Sequence, residues 1–241
     1  MHITSPRSIA CSLLLMTTCL APLASAQEEE GLETELELGA IFTSGNTKDE
    51  NIKFKGTMDW YLTTWEYGLS LDVFRSSKND ELAAQRAYAV ATATYNINDS
   101  SFIVSRLAHE DDRFSGYDSQ SDFTVSYGQT LLQDRENMEW LYTIGAGVRN
   151  SRSDEGDFNE GVIRAATEFN WDISENALFI QKLSVEAGEE SRISRAESSI
   201  QTNIIGDLSM KFTIAVKHQS EVPVDRKKTD SEASVTLLLR L

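Results

Sequence analysis

Residues Ile52 to Val73 read IKFKGTMDWYLTTWEYGLSLDV. Two alternating runs lie inside this stretch. Ile52, Phe54, Met58 and Trp60 interleave with Lys53, Lys55, Asp59 and Tyr61. Trp65, Tyr67, Leu69, Leu71 and Val73 then interleave with Glu66, Gly68, Ser70 and Asp72. A period of two sends successive side chains to opposite faces of a strand, so the stretch predicts two strands joined at Leu62, Thr63 and Thr64. Both runs exceed the usual globular strand of about five or six residues and reach the roughly nine to eleven needed to cross a bilayer at a tilt.

The same alternation recurs outward in both directions. Leu36, Leu38, Ala40 and Phe42 repeat it before this stretch. Trp140, Tyr142, Ile144, Ala146 and Val148 repeat it after, followed by Met210, Phe212, Ile214 and Val216, and by Val235, Leu237, Leu239 and Leu241. The reading predicts about twelve strands (an even number, ten to twelve), near 33–43, 50–62, 65–77, 84–97, 101–112, 119–131, 138–150, 160–172, 176–187, 197–207, 209–219 and 229–241. Short turns at 62–64, 98–100, 133–136, 172–175 and 206–207 alternate with longer polar loops near 44–50, 77–83, 110–120, 150–160, 187–197 and 219–230. That layout predicts an all-β antiparallel transmembrane barrel, with short periplasmic turns, longer acidic extracellular loops, and Leu241 ending the last strand.

Composition sharpens the picture. The 241 residues carry 22 basic and 38 acidic side chains, a formal charge of -16. A phosphate backbone repels such a surface, which excludes nucleic acid as a partner. A mean hydropathy of -0.33 argues against a helical membrane bundle. It does not argue against a barrel, whose apolar residues are confined to one face. Arg7, the apolar stretch Ile9 to Leu20 and Ala24-Ser25-Ala26 have the form of a secretory leader, predicting cleavage after Ala26. Residues 1–26 are thus a signal peptide and 27–241 the barrel domain. Cys11 and Cys19 fall in the leader, so no thiol or disulfide chemistry is expected in the exported chain. Pro223 is its only proline, which leaves backbone pairing almost uninterrupted.

A soluble, secreted β-sandwich with a binding role would also alternate, with inside and outside exchanged. The four tryptophans favour the barrel. Trp60, Trp65, Trp140 and Trp171 all flank predicted short turns, which gathers them at one rim as an aromatic girdle. A soluble core would bury most of them.

Leu38 to Thr47, containing Gly45, Asn46 and Thr47, resembles the Gly-Asn-Thr signature of a family of salt-induced outer-membrane proteins defined by a domain of unknown function. The stretch Glu110 to Gly116, with Asp112, Arg113 and Phe114, resembles that family's second recurring segment, and Gly145 to Arg149 its third. The resemblance runs over the whole exported chain. It implies a barrel in the outer membrane of a Gram-negative bacterium, and it implies no mechanism.

Candidate chemistry is sparse. His109, Asp111 and Asp112, with His218 as a partner, are the candidates for a rim hydrolase, because a histidine beside carboxylates can activate water. Adjacent strand residues face opposite ways, so a solvated acidic loop end is the preferred reading of this run. Asp154, Asp157 and Glu160 offer hard oxygen ligands without calcium-loop spacing, and again an acidic loop is preferred. Gly45 and Asn46 suit a tight turn that fixes the first hairpin. No cofactor is expected. The lumen is the better place for function. Lys53, Lys55, Asp59, Asp72, Arg164, Glu168, Lys211 and Lys217 fall on predicted inward faces, where charges either line an aqueous path or close it by pairing. The leading expectation is a non-enzymatic outer-membrane protein, a small channel or an envelope protein responding to osmotic conditions. Its expected partners are outer-membrane lipid, lipopolysaccharide and the barrel-assembly machinery.

Overall fold

The structure, a computed structural model, describes residues 31–42, 49–78, 81–112, 117–153, 156–222 and 227–241. The expected signal peptide (residues 1–26), Gly45-Asn46-Thr47, Arg113-Phe114 and Asp154 lie outside these residues. Among the described residues every regular element is a strand: β1 Gly31–Phe42, β2 Asp49–Tyr61, β3 Trp65–Lys78, β4 Glu81–Asn98, β5 Ser101–Asp112, β6 Ser119–Leu131, β7 Met138–Ser153, β8 Gly156–Ser174, β9 Ala177–Gly188, β10 Arg192–Ile205, β11 Leu208–Gln219 and β12 Thr229–Arg240. Each strand pairs antiparallel with its neighbours in sequence. The ring closes where β1 meets β12, pairing Glu35 with Arg240 and Leu38 with Leu237. A single closed sheet rules out the β-sandwich alternative and leaves no free edge.

Polarity is inverted relative to a soluble core. Outward residues such as Leu38 (61% exposed), Ile163 (63%), Val148, Leu69, Leu107 and Ile214 form an apolar band open to the surroundings. Inward residues such as Arg149 and Glu186 (each 1% exposed), Ser151 and Thr124 are polar and buried. The alternation that predicted the strands is therefore the wall of a barrel with a polar interior.

Loop lengths depart from expectation at three places. β3 and β4, β7 and β8, and β9 and β10 continue almost to one another, so the predicted loops near 77–83, 150–160 and 187–197 are short hairpins. The strands run on because backbone pairing persists after the apolar face has ended. Asn150, Arg152, Asp157 and Asn159 stand outward there and keep the ladder going, with Arg152 paired to Asp157. At the opposite end, which also holds Gly31 and Leu241, three two-residue turns each follow a bulge that leaves one isoleucine unpaired: Ile97, Ile173 and Ile204. All three are exposed, and they extend the apolar band to the turn end. Gly206 closes the last of these turns at a φ of 53°, a left-handed conformation that costs glycine little.

Candidate functional site

All four tryptophans stand on the outer face at the turn end. Trp60 and Trp65 each pack against Tyr67 with ring centroids 6.1 Å apart, and Trp65 meets Tyr95 at 5.1 Å. Trp140 donates its indole N–H to Thr167 at 2.6 Å. Rings with an apolar body and one polar handle suit a membrane interface.

Period two sends Lys53, Lys55, Asp72, Arg164, Lys211 and Lys217 inward, and there each meets a group of opposite charge on another strand. Lys53 and Arg86 clasp Asp72 and Glu232, with Arg86 to Glu232 at 3.2 Å. Lys211 bonds Glu37 at 2.9 Å, and Thr236 donates to the other oxygen of that carboxylate at 3.0 Å. Lys55 lies 4.0 Å from Glu197, and Lys182 3.1 Å from Glu168. Glu37, Arg86, Glu197 and Glu232 were absent from the expected set, although the same parity marks them: each sits between outward neighbours.

The centre of the network is Glu186 on β9. Its carboxylate accepts from Arg164 at 3.4 Å and Arg195 at 3.4 Å and lies 3.8 Å from Arg106, while its backbone carbonyl accepts from Arg149 at 3.2 Å. Arg106 also binds Asp122 and the hydroxyl of Tyr88, and Arg195 lies over the Tyr88 ring at 5.3 Å. Glu110 on β5 reaches Arg195 on β10 at 2.9 Å and Lys217 on β11 at 2.8 Å. In a ring of twelve strands β5 and β11 are diametrically opposed, so these bonds are chords across the bore. Side chains nearer the loop end fill it further, with Arg149, Ser151, Ile193 and Gln219 all buried. Below the chords, toward the turn end, the lumen widens into a cavity of about 1080 Å³ that reaches the turn residues Thr63 and Asp99. Asp59 and Glu168 lie on its wall.

The other candidates do not converge. His109 is exposed on the outer face and hydrogen-bonds Ser121 at 2.8 Å, whereas Glu110 points into the lumen. His218 is exposed on the opposite wall and bonds Thr229 at 2.8 Å. The two histidines share no site, and Asp111 and Asp112 fall on opposite faces of β5. Asp157 and Glu160 likewise part. Asp157 faces out toward Arg152, and Glu160 is buried, 3.5 Å from Arg149, accepting the backbone N–H of Glu190 at 2.9 Å and of Ser191 at 3.4 Å. Glu160 is thus a brace for the β9–β10 turn. Glu160→Gln is expected to keep the barrel closed but to raise amide exchange at Glu190 and Ser191 about tenfold, as a charged acceptor becomes neutral. Unchanged exchange at those two amides would contradict the brace.

The third motif stretch has a backbone explanation. Gly145 and Gly147 face inward where β6 and β7 coil tightly, and a Cβ at either would overlap the carbonyl oxygen of Val125 or Phe123. Arg149 follows in the same inward phase and donates to the backbone carbonyl of Glu186.

A family model described as "Protein of unknown function, DUF481" matches residues 36–240. The chain belongs to the DUF481 family. Among curated proteins it is similar to the Uncharacterized protein YdiY of Escherichia coli (strain K12), 26% identical over 214 residues, 88% of this chain and 84% of that one. Among solved structures it is similar in fold to the NanC porin, at a TM-score of 0.52 and 8% identity, covering 86% of this chain and 98% of the porin. The KdgM porin in complex with disordered oligogalacturonate aligns at a TM-score of 0.46 and 10% identity, covering 86% and 98%. This DUF481 chain therefore has an outer-membrane porin-like barrel fold.

Proposed function

We propose that this DUF481 protein is a non-enzymatic barrel of the Gram-negative outer membrane, a small channel held shut at mid-lumen by ion pairs, with its turn end in the periplasm. The observation that carries this reading is the set of chords from Glu110 to Arg195 and Lys217, which join opposed walls. A structural plug needs no such reach, because neighbouring strands could neutralise each other's charges locally. Paired charges across a bore are also separable, since each partner keeps its own wall. The apolar band and the tryptophans at the turn end support the membrane placement. Lipopolysaccharide would then surround the loop end, and insertion would use the barrel-assembly machinery.

Membrane fractionation combined with gel mobility before and after boiling tests the placement. The protein is expected in the outer-membrane fraction and to migrate as a compact band that shifts on boiling. Recovery in the soluble periplasmic fraction with no shift would overturn it.

A further inference from the structure

Charge is unevenly placed around the turn-end cavity. Its ceiling is made by Arg106, Arg164 and Arg195 with the phenol of Tyr88. The carboxylates that hold these arginines, Glu110, Asp122 and Glu186, are buried and take no part in the lining. At the ceiling the guanidiniums line the space and their carboxylates do not, whereas lower on the wall Lys55 and Lys182 are matched by Glu197 and Glu168, which line it too.

Three guanidiniums bring about fifteen N–H donors in fixed forks. Protein acceptors use some of them: Asp122, Tyr88 and Glu186 for Arg106, Glu186 and Thr143 for Arg164, and Glu186 and Glu110 for Arg195. Arg164 and Arg195, whose side chains are 14% and 23% exposed, keep N–H donors beyond these for an occupant of the cavity. Because the ion pairs already fix the three side chains, an oxyanion arriving there meets preorganised donors and orders little. Hydroxyls continue the lining below the ceiling, at Thr92, Thr94, Ser126 and Thr143. These groups both donate and accept, which suits the hydroxyls of a ligand better than an apolar body.

The geometry points to a binding site for a small polyhydroxylated oxyanion, a carboxylate or phosphate on a hydroxyl-bearing carbon chain, entering from the turn end and seating its anionic group under Arg106, Arg164 and Arg195. The volume of about 1080 Å³ admits such a molecule with its water. The mouth selects against free entry of anions, since Asp59, Glu66 and Glu139 line it. Salt screens these solvated charges more than it screens the buried ceiling, so association is expected to quicken as salt rises. The site depends on a lumen open at one end and not on conduction, so it survives if the channel reading fails.

Calorimetric titration of the purified barrel in detergent tests it, with gluconate, glucose 6-phosphate, inorganic phosphate and glucose as probes. Gluconate, glucose 6-phosphate or both are expected to bind saturably at one per chain, and glucose not to bind. Arg164→Gln, checked for folding by its boiling shift, is expected to weaken binding by roughly tenfold or more. Thr143→Val, which leaves every charge in place, is expected to weaken it by a smaller factor. Inorganic phosphate binding as tightly as both hydroxylated acids, glucose binding equally well, no binding by any probe, or full affinity in folded Arg164→Gln would each overturn the proposal.

Discussion

Glu186→Gln is expected to destabilise the barrel by about 3 kcal/mol or more, because removing one charge from a buried network strands its partners. The substitution keeps the side chain's shape and one acceptor oxygen. It removes the negative charge that Arg106, Arg164 and Arg195 share. Three guanidiniums then repel one another around a site with 1% exposure, where water cannot take over. Urea titration of the folded fraction in lipid vesicles measures the loss. Asp157→Asn is the comparison: its pair with Arg152 has both side chains more than 60% exposed, and its removal is expected to cost under about 1 kcal/mol. Equal effects of the two substitutions would mean that the mid-lumen network is not a coupled unit.

Gly147→Val is expected to lower stability by about 1–3 kcal/mol at the least and to cut folding yield sharply, since backbone must move to admit the side chain. The obstacle at Gly147 is the carbonyl of Phe123 and the Cα of Thr124, atoms fixed by the β6–β7 ladder, not the end of a flexible side chain. Gly161→Ala is the control. A Cβ at Gly161 meets nothing within 4 Å, so that variant is expected to fold like the parent. Folded fraction by boiling shift, followed by urea midpoint, separates the two. A Gly147→Val barrel as stable as Gly161→Ala would remove close strand approach as the reason for this glycine.

The strands were legible because the outer face of each is largely apolar and the inner face polar, and that forces a period of two along most of each strand. The loops were less legible for the converse reason. At Asn150, Arg152, Asp157 and Asn159 the outer face has left the apolar band, alternation loses its contrast, and a strand reads as a polar loop. The bulges at Ile97, Ile173 and Ile204 carry no marker beyond an isoleucine beside a turn. Inside the barrel, parity alone places Lys53, Asp72 and Arg164 in the lumen, and it would have placed Arg106, Glu186 and Arg195 there too. Whether Glu110 meets Arg195 depends on tilt and stagger around the ring, which no single strand encodes. The same parity kept His109 and Glu110 apart, and the outward histidine with its Ser121 partner follows from it.

Closure of the bore by paired charges is tested most directly by current through planar bilayers. The parent barrel is expected to give no steady open state. Replacing both Glu110 and Arg195 with serine removes both chords across the bore, leaving only Lys217 without its partner on the opposed wall, and is expected to give stable conducting steps. Large, steady, open-pore conductance from the parent chain, unchanged in the double variant, would contradict the account.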